Sequence, residues 1–231
     1  MRKYLLMAVL TACFMGAKAQ NVQLHYDMGT DRQILTSTIE MFKPDKYGNT
    51  FFFVDMDYSG TKKGVGLSYF EIARELKFWK APIAAHVEYN GGQMNGLGSF
   101  GNAYLAGPSY TYLTKDFSGN FTLMVLYKYI EQTPTKKPHN YQITAVWGKN
   151  FCKNKFTVSG FADFWREDHT VSKDGFVNDF SDSKYIFISE PQFWFNYNKS
   201  FSVGSEIELS NDFAGHDGFK IRPTLAVKWN L

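Results

Sequence analysis

The sequence predicts an all-β fold, a closed antiparallel transmembrane β-barrel of about 12 strands. Three observations carry the prediction. Apolar and polar residues alternate with period two along most of the chain, the signature of a strand with two unlike faces and not of a helix. The alternating segments sum to more than about 60% of residues 20–231, well above the strand content of soluble domains and ordinary for strands that tilt across a bilayer. The two longest gaps between segments fall on the same side of the sheet, as an even number of passes with both termini on the other side requires.

In chain order the strands fall near 21–28, 33–42, 50–58, 65–77, 82–90, 103–114, 121–130, 139–150, 156–166, 185–197, 201–211 and 219–231. In the fifth, Ile83, Ala85, Val87 and Tyr89 form one face and His86, Glu88 and Asn90 the other. The sixth, 103–114, phases either way. The seventh presents Phe121, Leu123, Val125, Tyr127 and Tyr129 on one face, and the eighth sets Tyr141, Ile143, Ala145 and Trp147 against Asn140, Gln142, Thr144 and Val146. In the eleventh, Phe201, Val203, Ser205, Ile207 and Leu209 oppose Ser202, Gly204, Glu206, Glu208 and Ser210. The last is the clearest: Phe219, Ile221, Pro223, Leu225, Val227, Trp229 and Leu231 alternate with Lys220, Arg222, Thr224, Ala226, Lys228 and Asn230. Three prolines fit poorly, since Pro108, Pro191 and Pro223 each remove a ladder hydrogen bond. Arg74 falls on an apolar phase, which requires a place near an interface or a bulge that shifts register.

Connections at 43–49, 78–81, 115–120, 151–155 and 198–200 read as short periplasmic turns, with Lys115 to Asn120 and Asn198 to Ser200 of turn composition. The Gly/Asn-rich 91–102 and the segment 167–184 read as long outer loops. Facing follows from magnitude. A Lys or Arg against lipid costs about 2–4 kcal/mol at the midplane, so Lys220, Arg222 and Lys228 belong inside and the apolar faces meet lipid. Aromatics near strand ends (Tyr58, Phe78, Trp79, Tyr89, Tyr127, Tyr129, Trp147, Phe201, Trp229) suit interfacial girdles. The inverse arrangement, a soluble lipocalin-like periplasmic barrel with apolar faces inward, is the alternative.

Residues 1–19 predict a signal peptide: basic Arg2-Lys3, apolar Tyr4 to Gly16, and the small-x-small site Ala17-Lys18-Ala19. A rival processing site, Leu10-Thr11-Ala12-Cys13, would make Cys13 a lipidated terminus. Either leaves an exported chain with the barrel in 20–231. The formal charge of +3 belongs to this leader, which holds three bases and no acid, leaving 22 of each sign. That balance speaks against a nucleic-acid partner. Cys152 is the one cysteine beyond the leader, which excludes a disulfide scaffold and a Cys-rich metal site. No later segment approaches the run of about 18 apolar residues that a membrane helix needs.

The same phasing turns acids inward at Asp55, Asp57, Glu71, Glu75, Glu88, Asp163, Glu190, Glu206 and Glu208, with His86 among them and Lys220, Arg222 and Lys228 as bases. Inward aromatics are Phe51, Phe53, Tyr69, Phe161, Trp165 and Trp194. Two readings stay open. Cross-strand ion pairs brace a plugged lumen, or the same groups line a narrow passage with opposed charges and stacking platforms, suited to a small amphipathic solute such as a nucleoside. Barrels of about 8 strands are filled by side chains and those of about 16–18 hold open water, so twelve implies a constriction. Catalytic signals are weak. His25, His86, His139, His169 and His216 are scattered, and neither G-x-S-x-G nor H-E-x-x-H occurs. The enzymatic alternative is a barrel lipid hydrolase using His86, Glu88 and some serine. Asp168, Asp174, Asp179, Asp182, Asp212 and Asp217 read as solvated loop acids, with divalent-cation or lipopolysaccharide bridging as the alternative; none matches a calcium loop. No cofactor, metal or catalytic set is predicted.

Five stretches carry a family resemblance: Phe42-Lys43-Pro44-Asp45-Lys46-Tyr47-Gly48, Phe51 to Tyr58, Ser68 to Leu76, Val158 to Trp165, and the C-terminal strand. Through them most of 21–231 resembles the Tsx-type nucleoside-specific outer-membrane channels, and more closely a Bacteroidetes branch of Tsx-like proteins. The resemblance implies a monomeric twelve-stranded channel, held in outer-membrane lipid and lipopolysaccharide, that passes nucleosides or similar solutes. By position it implies lumen roles for Asp55, Asp57, Glu71, Asp163 and Trp165. One departure is the C-terminus, Trp229-Asn230-Leu231, which lacks the usual terminal aromatic.

Overall fold

The computed structural model describes residues 19–59, 64–96, 98–131, 137–173 and 179–231; residues 1–18 of the predicted leader and Asp174 lie outside them. The described strands are β1 (Ala19–Asp27), β2 (Leu35–Asp45), β3 (Gly48–Asp57), β4 (Leu67–Leu76), β5 (Ile83–Met94), β6 (Gly98–Leu113), β7 (Gly119–Ile130), β8 (His139–Phe151), β9 (Phe156–Ser172), β10 (Phe180–Ser189), β11 (Gln192–Asn196), β12 (Phe201–Asn211) and β13 (Phe219–Asn230). All pair antiparallel in one sheet, and β1 pairs with β13 from Asn21↔Asn230 to Asp27↔Thr224, which closes it. Closure removes the sheet edge, so every strand finds a partner on both sides.

The expected strand 185–197 is interrupted, not lost. β10 and β11 keep one register against β9 (Ser189↔Ala162, Gln192↔Ser159) and against β12 (Ser189↔Leu209, Gln192↔Glu206), so together they make one pass and the barrel has twelve. Pro191 is the cause, having no N–H to give the ladder. Around it Glu190 N–H donates to Phe161 O (3.0 Å) and Ile207 N–H to Pro191 O (3.0 Å). Gly160 faces this break at φ +151°, and a Cβ there would lie 2.5 Å from Glu190 O. The other two prolines are absorbed locally. Beside Pro223, Thr224 Oγ1 accepts Glu206 N–H (3.0 Å) and Ser205 Oγ donates to Thr224 O (2.6 Å). At Pro108 the β6–β7 ladder lapses between Ala106↔Tyr127 and Ser109↔Met124.

Facing follows the alternation. On β13, Phe219, Ile221, Leu225, Val227 and Trp229 are 39–63% exposed, while Arg222, Thr224 and Ala226 are at most 5% exposed. The ambiguous sixth strand is settled by the structure: Ala103, Leu105 and Ser109 point inward and Tyr104, Tyr110 and Tyr112 outward. Arg74 stays on the outward phase with no register shift on either side. It lies beside the β2–β3 turn, bonding Asp45 (2.7 Å) and Thr50 (3.0 Å), so a rim position explains it and a bulge does not. Outward aromatics form bands. Phe52, Phe70, Tyr89, Tyr104, Tyr129 and His139 follow one another across β3 to β8 at centroid spacings of 5.4–6.4 Å. Near the end that carries the termini lie Tyr47 with Phe78 (5.5 Å) and Phe201 with Trp229 (6.2 Å).

The two long outer loops require correction. Most of 91–102 and 167–184 is strand: β5 runs to Met94 and β6 starts at Gly98, while β9 runs to Ser172 and β10 starts at Phe180. Register shifts between Asn90 and Gly92 and between Ser183 and Tyr185 mark where these hairpins change phase. Gly and Asn composition imitates a loop, but ladder pairing satisfies the backbone all the same. Asp168 and Asp182 therefore sit on strands. Asp168 is buried and paired with Arg166 (2.5 Å) and Lys137 (2.6 Å), not solvated.

Candidate functional site: the lumen

The seam between β1 and β13 holds a charge cluster. Arg222, 2% exposed, donates through Nη1 to Glu208 (2.6 Å) and through Nη2 to Asp31 (2.8 Å). Arg32 comes in from the β1–β2 connection to Asp27 (2.5 Å) and Glu208 (3.2 Å). Asp27 Oδ1 also accepts Gly29 N–H (2.6 Å), which folds the connection back onto the barrel. The Arg222 hydrogen bond holds the Asp31 carboxyl down at about 2. From the other side of β13, the β12–β13 connection tucks inward: Phe213 meets Trp165 edge-on (6.1 Å) and packs on the cluster that Trp165 forms with Ile186 and Ile188.

Deeper in, the two lumen lysines each lie over a tryptophan. Lys128 Nζ sits 4.2 Å from the Trp165 ring and donates to Gln142 (2.7 Å); Lys228 Nζ sits 4.0 Å from Trp194. Trp194 is 1% exposed, donates to Gln192 (2.9 Å) and meets His25 edge-on (6.0 Å). Asp55 and Asp57 accept from Thr38 (2.5 Å) and Thr36 (2.6 Å), Glu71 from Tyr69 (3.3 Å), and Glu206 from Gln192 (2.6 Å). Phe53 lies 5.6 Å from Tyr69 and 5.9 Å from Phe51, giving a run of half-buried ring faces. Beside Lys128 and Gln142, the β6–β8 wall carries an apolar patch built from Leu105, Met124, Leu126 and Ile130 with Val146.

His86 is held between two carboxylates, donating from Nδ1 to Glu75 (2.7 Å) and from Nε2 to Glu88 (3.0 Å). Ser109 bonds the other oxygen of Glu75. The order is serine, glutamate, histidine, glutamate, so neither ring nitrogen is placed to take a serine proton, as a hydrolytic triad needs. Among the described residues no group of three or more His, Cys, Asp or Glu has the geometry to hold a metal.

The structure thus places Asp55, Asp57, Tyr69, Glu71, His86, Glu88, Asp163, Trp165, Trp194, Glu206, Glu208 and Arg222 on the inward phase of their strands, and Glu190 in the break between β10 and β11. Arg222 and Glu208 meet. Lys228, expected beside glutamates, lies on Trp194 instead. Sequence reasoning missed Lys128, Arg32 and Asp27. Lys128 was readable, since it alternates with Tyr127 and Tyr129. Arg32 was not, because a connection has no period to phase it.

A closed barrel of twelve passes, apolar outside and charged within, is the architecture of porins, and solved porins share it. The NanC porin superposes with TM-score 0.59 at 11% identity, covering 92% of this chain and 100% of that one. The KdgM porin gives 0.52 at 9% identity, covering 92% and 99%. Likeness at such identities speaks for the fold alone. No curated protein matches the chain in sequence. The chain belongs to the family described as Domain of unknown function (DUF5020), whose model matches residues 19–231.

Proposed function

We propose that this protein is a monomeric channel of a Gram-negative outer membrane, exported by the leader 1–19, through which small polar solutes diffuse without energy input. The observation that carries the reading is the polarity of the wall. Apolar residues such as Val125 (54% exposed) and Leu225 (63%) face outward over strand after strand, while Arg222 and Glu208 are buried inside. In water such an exterior would leave a large unmet apolar surface; in lipid it is the stable arrangement. Outer-membrane lipid and lipopolysaccharide are then its surroundings, and the lumen is the one polar path. The ring faces of Phe51, Phe53 and Tyr69 beside Glu71 and Asp55 suit a flat amphipathic solute, and nucleosides are the class the Tsx resemblance implies. A catalytic role is disfavoured by the two carboxylates on His86.

The test is single-channel conductance of the refolded protein in a planar bilayer. Discrete steps that nucleosides block at submillimolar concentration support both channel and solute. Steps without block keep the channel and discard nucleosides. A second reading, a barrel without an open pore, is favoured by the packing of Phe213, Ile186 and Ile188 against Trp165 and by the apolar patch on β6–β8. Silence from demonstrably folded protein selects it.

A further inference from the structure

We propose that the passage selects cations over anions, and that small organic cations carrying an ammonium or similar group are among the polar solutes it passes. The proposal rests on the channel reading and names the solute class for it. Its first support is an asymmetry in pairing. The deep-lying bases are engaged: Arg222 and Arg32 with Glu208, Asp31 and Asp27, and Lys128 and Lys228 on tryptophan faces, while Lys220 stands at the far end of β13. His86 is likewise shared between Glu75 and Glu88. The acids are not. Among the described residues Glu40, Asp55, Asp57, Glu71, Asp163 and Glu190 make no ion pair with a Lys or Arg. The partners that Glu40, Asp55, Asp57 and Glu71 do have are neutral donors, namely Asn21, Thr38, Thr36 and Tyr69.

These acids come from facing walls. Glu71 lies on β4 and Asp163 on β9, and Asp55 lies on β3 with Glu190 at the break after β10. In a twelve-pass ring β4 and β9 lie five steps apart, close to diametrically opposed, so their carboxylates bracket the passage.

The second support is independent. Asp163 Oδ1 is buried and has no hydrogen-bond partner, although buried acceptors are nearly always satisfied. A donor arriving with the solute would complete it. The Phe53 and Tyr69 rings beside Glu71 add the negative faces that attract organic cations. A cation therefore meets carboxyl groups that no Lys or Arg pairs, together with ring faces, and an anion meets deep-lying bases already taken.

The experiment is the zero-current potential of the purified protein in a planar bilayer across a KCl gradient. Potassium should pass about tenfold more readily than chloride, the lower end of the enrichment that charge-lined clefts produce. Choline on one side should reduce the potassium current at least about twofold, and gluconate should leave it unchanged, since only the cation finds attractive faces. The variant Asp55→Asn/Glu71→Gln/Glu190→Gln should lose the preference, and Asp116→Asn, on the β6–β7 turn, should keep it. Current with a chloride preference, or with none, overturns the proposal and leaves the channel standing. Absence of current from folded protein overturns the channel and the proposal with it. If the triple variant does not fold, the wild-type ratio and the choline–gluconate contrast decide alone.

Discussion

Replacing Arg222 by Met tests whether the seam cluster holds the barrel shut. The side chain is 2% exposed and its fork joins Glu208 on β12 to Asp31 in the β1–β2 connection, spanning both sides of the closing strand. Removing one partner of a buried pair costs about 3–5 kcal/mol, because the other charge is left behind. Here Glu208 keeps Arg32 at 3.2 Å and Ser210 at 2.7 Å, so the lower end applies, about 3 kcal/mol. A barrel of this length unfolds in urea with a slope near the upper end of the usual range, about 3 kcal/mol per molar. The midpoint in lipid vesicles should therefore fall by about 1 M. Adding Glu208→Gln should recover part of the loss, with a coupling of at least about 1.5 kcal/mol in the double-mutant cycle. An unchanged midpoint for Arg222→Met, or strictly additive losses, would refute the reasoning.

The same pair sets a pH window. Asp31 is held down at about 2 by Arg222, below its unfolded value of about 3.9. Its contribution is thus present above about pH 4 and disappears as the pH falls through 2; the stability curve of Asp31→Asn should run flatter over that interval. Gly204→Ala should destabilise by about 1–3 kcal/mol, because a Cβ there runs into the carbonyl of Phe193 and lies 2.6 Å from Trp194 Cε3; a shift in tryptophan emission should accompany the lowered midpoint. Val125→Arg, on the outward face of β7, should cost about 2–4 kcal/mol in vesicles. A soluble barrel would tolerate that change, so a neutral result would revive the soluble alternative.

The fold was legible where one face is charged. β13 reads directly from Lys220, Arg222 and Lys228, and β12 from Glu206 and Glu208, because a charge cannot be left against lipid. β6 was illegible for the opposite reason: its inward residues Ala103 and Leu105 are as apolar as lipid-facing ones, so period two carries no sign. The outer hairpins were misread because Gly91, Gly92 and Asn95 look like loop residues while their backbones pair or bond as strand ends do. The inward phase of Asp55, Glu71 and Trp194 could be read from alternation. Which of them meet could not, since contacts across a lumen depend on barrel diameter and on connections such as 28–34 that fold inward.

The unequal strand lengths shape the rim. β9 has 17 residues and β13 has 12. At about 3.3 Å per residue and a tilt of about 40°, these rise to heights of about 43 Å and 30 Å. The wall is therefore a parapet at β9, roughly 13 Å taller than at the seam, with β6 and its 16 residues nearly as tall. The rim is notched, not level, and the notch lies over Arg32, Arg222 and Phe213. In the proposed channel, a solute crossing the low sill would meet the seam's charges before the aromatic interior.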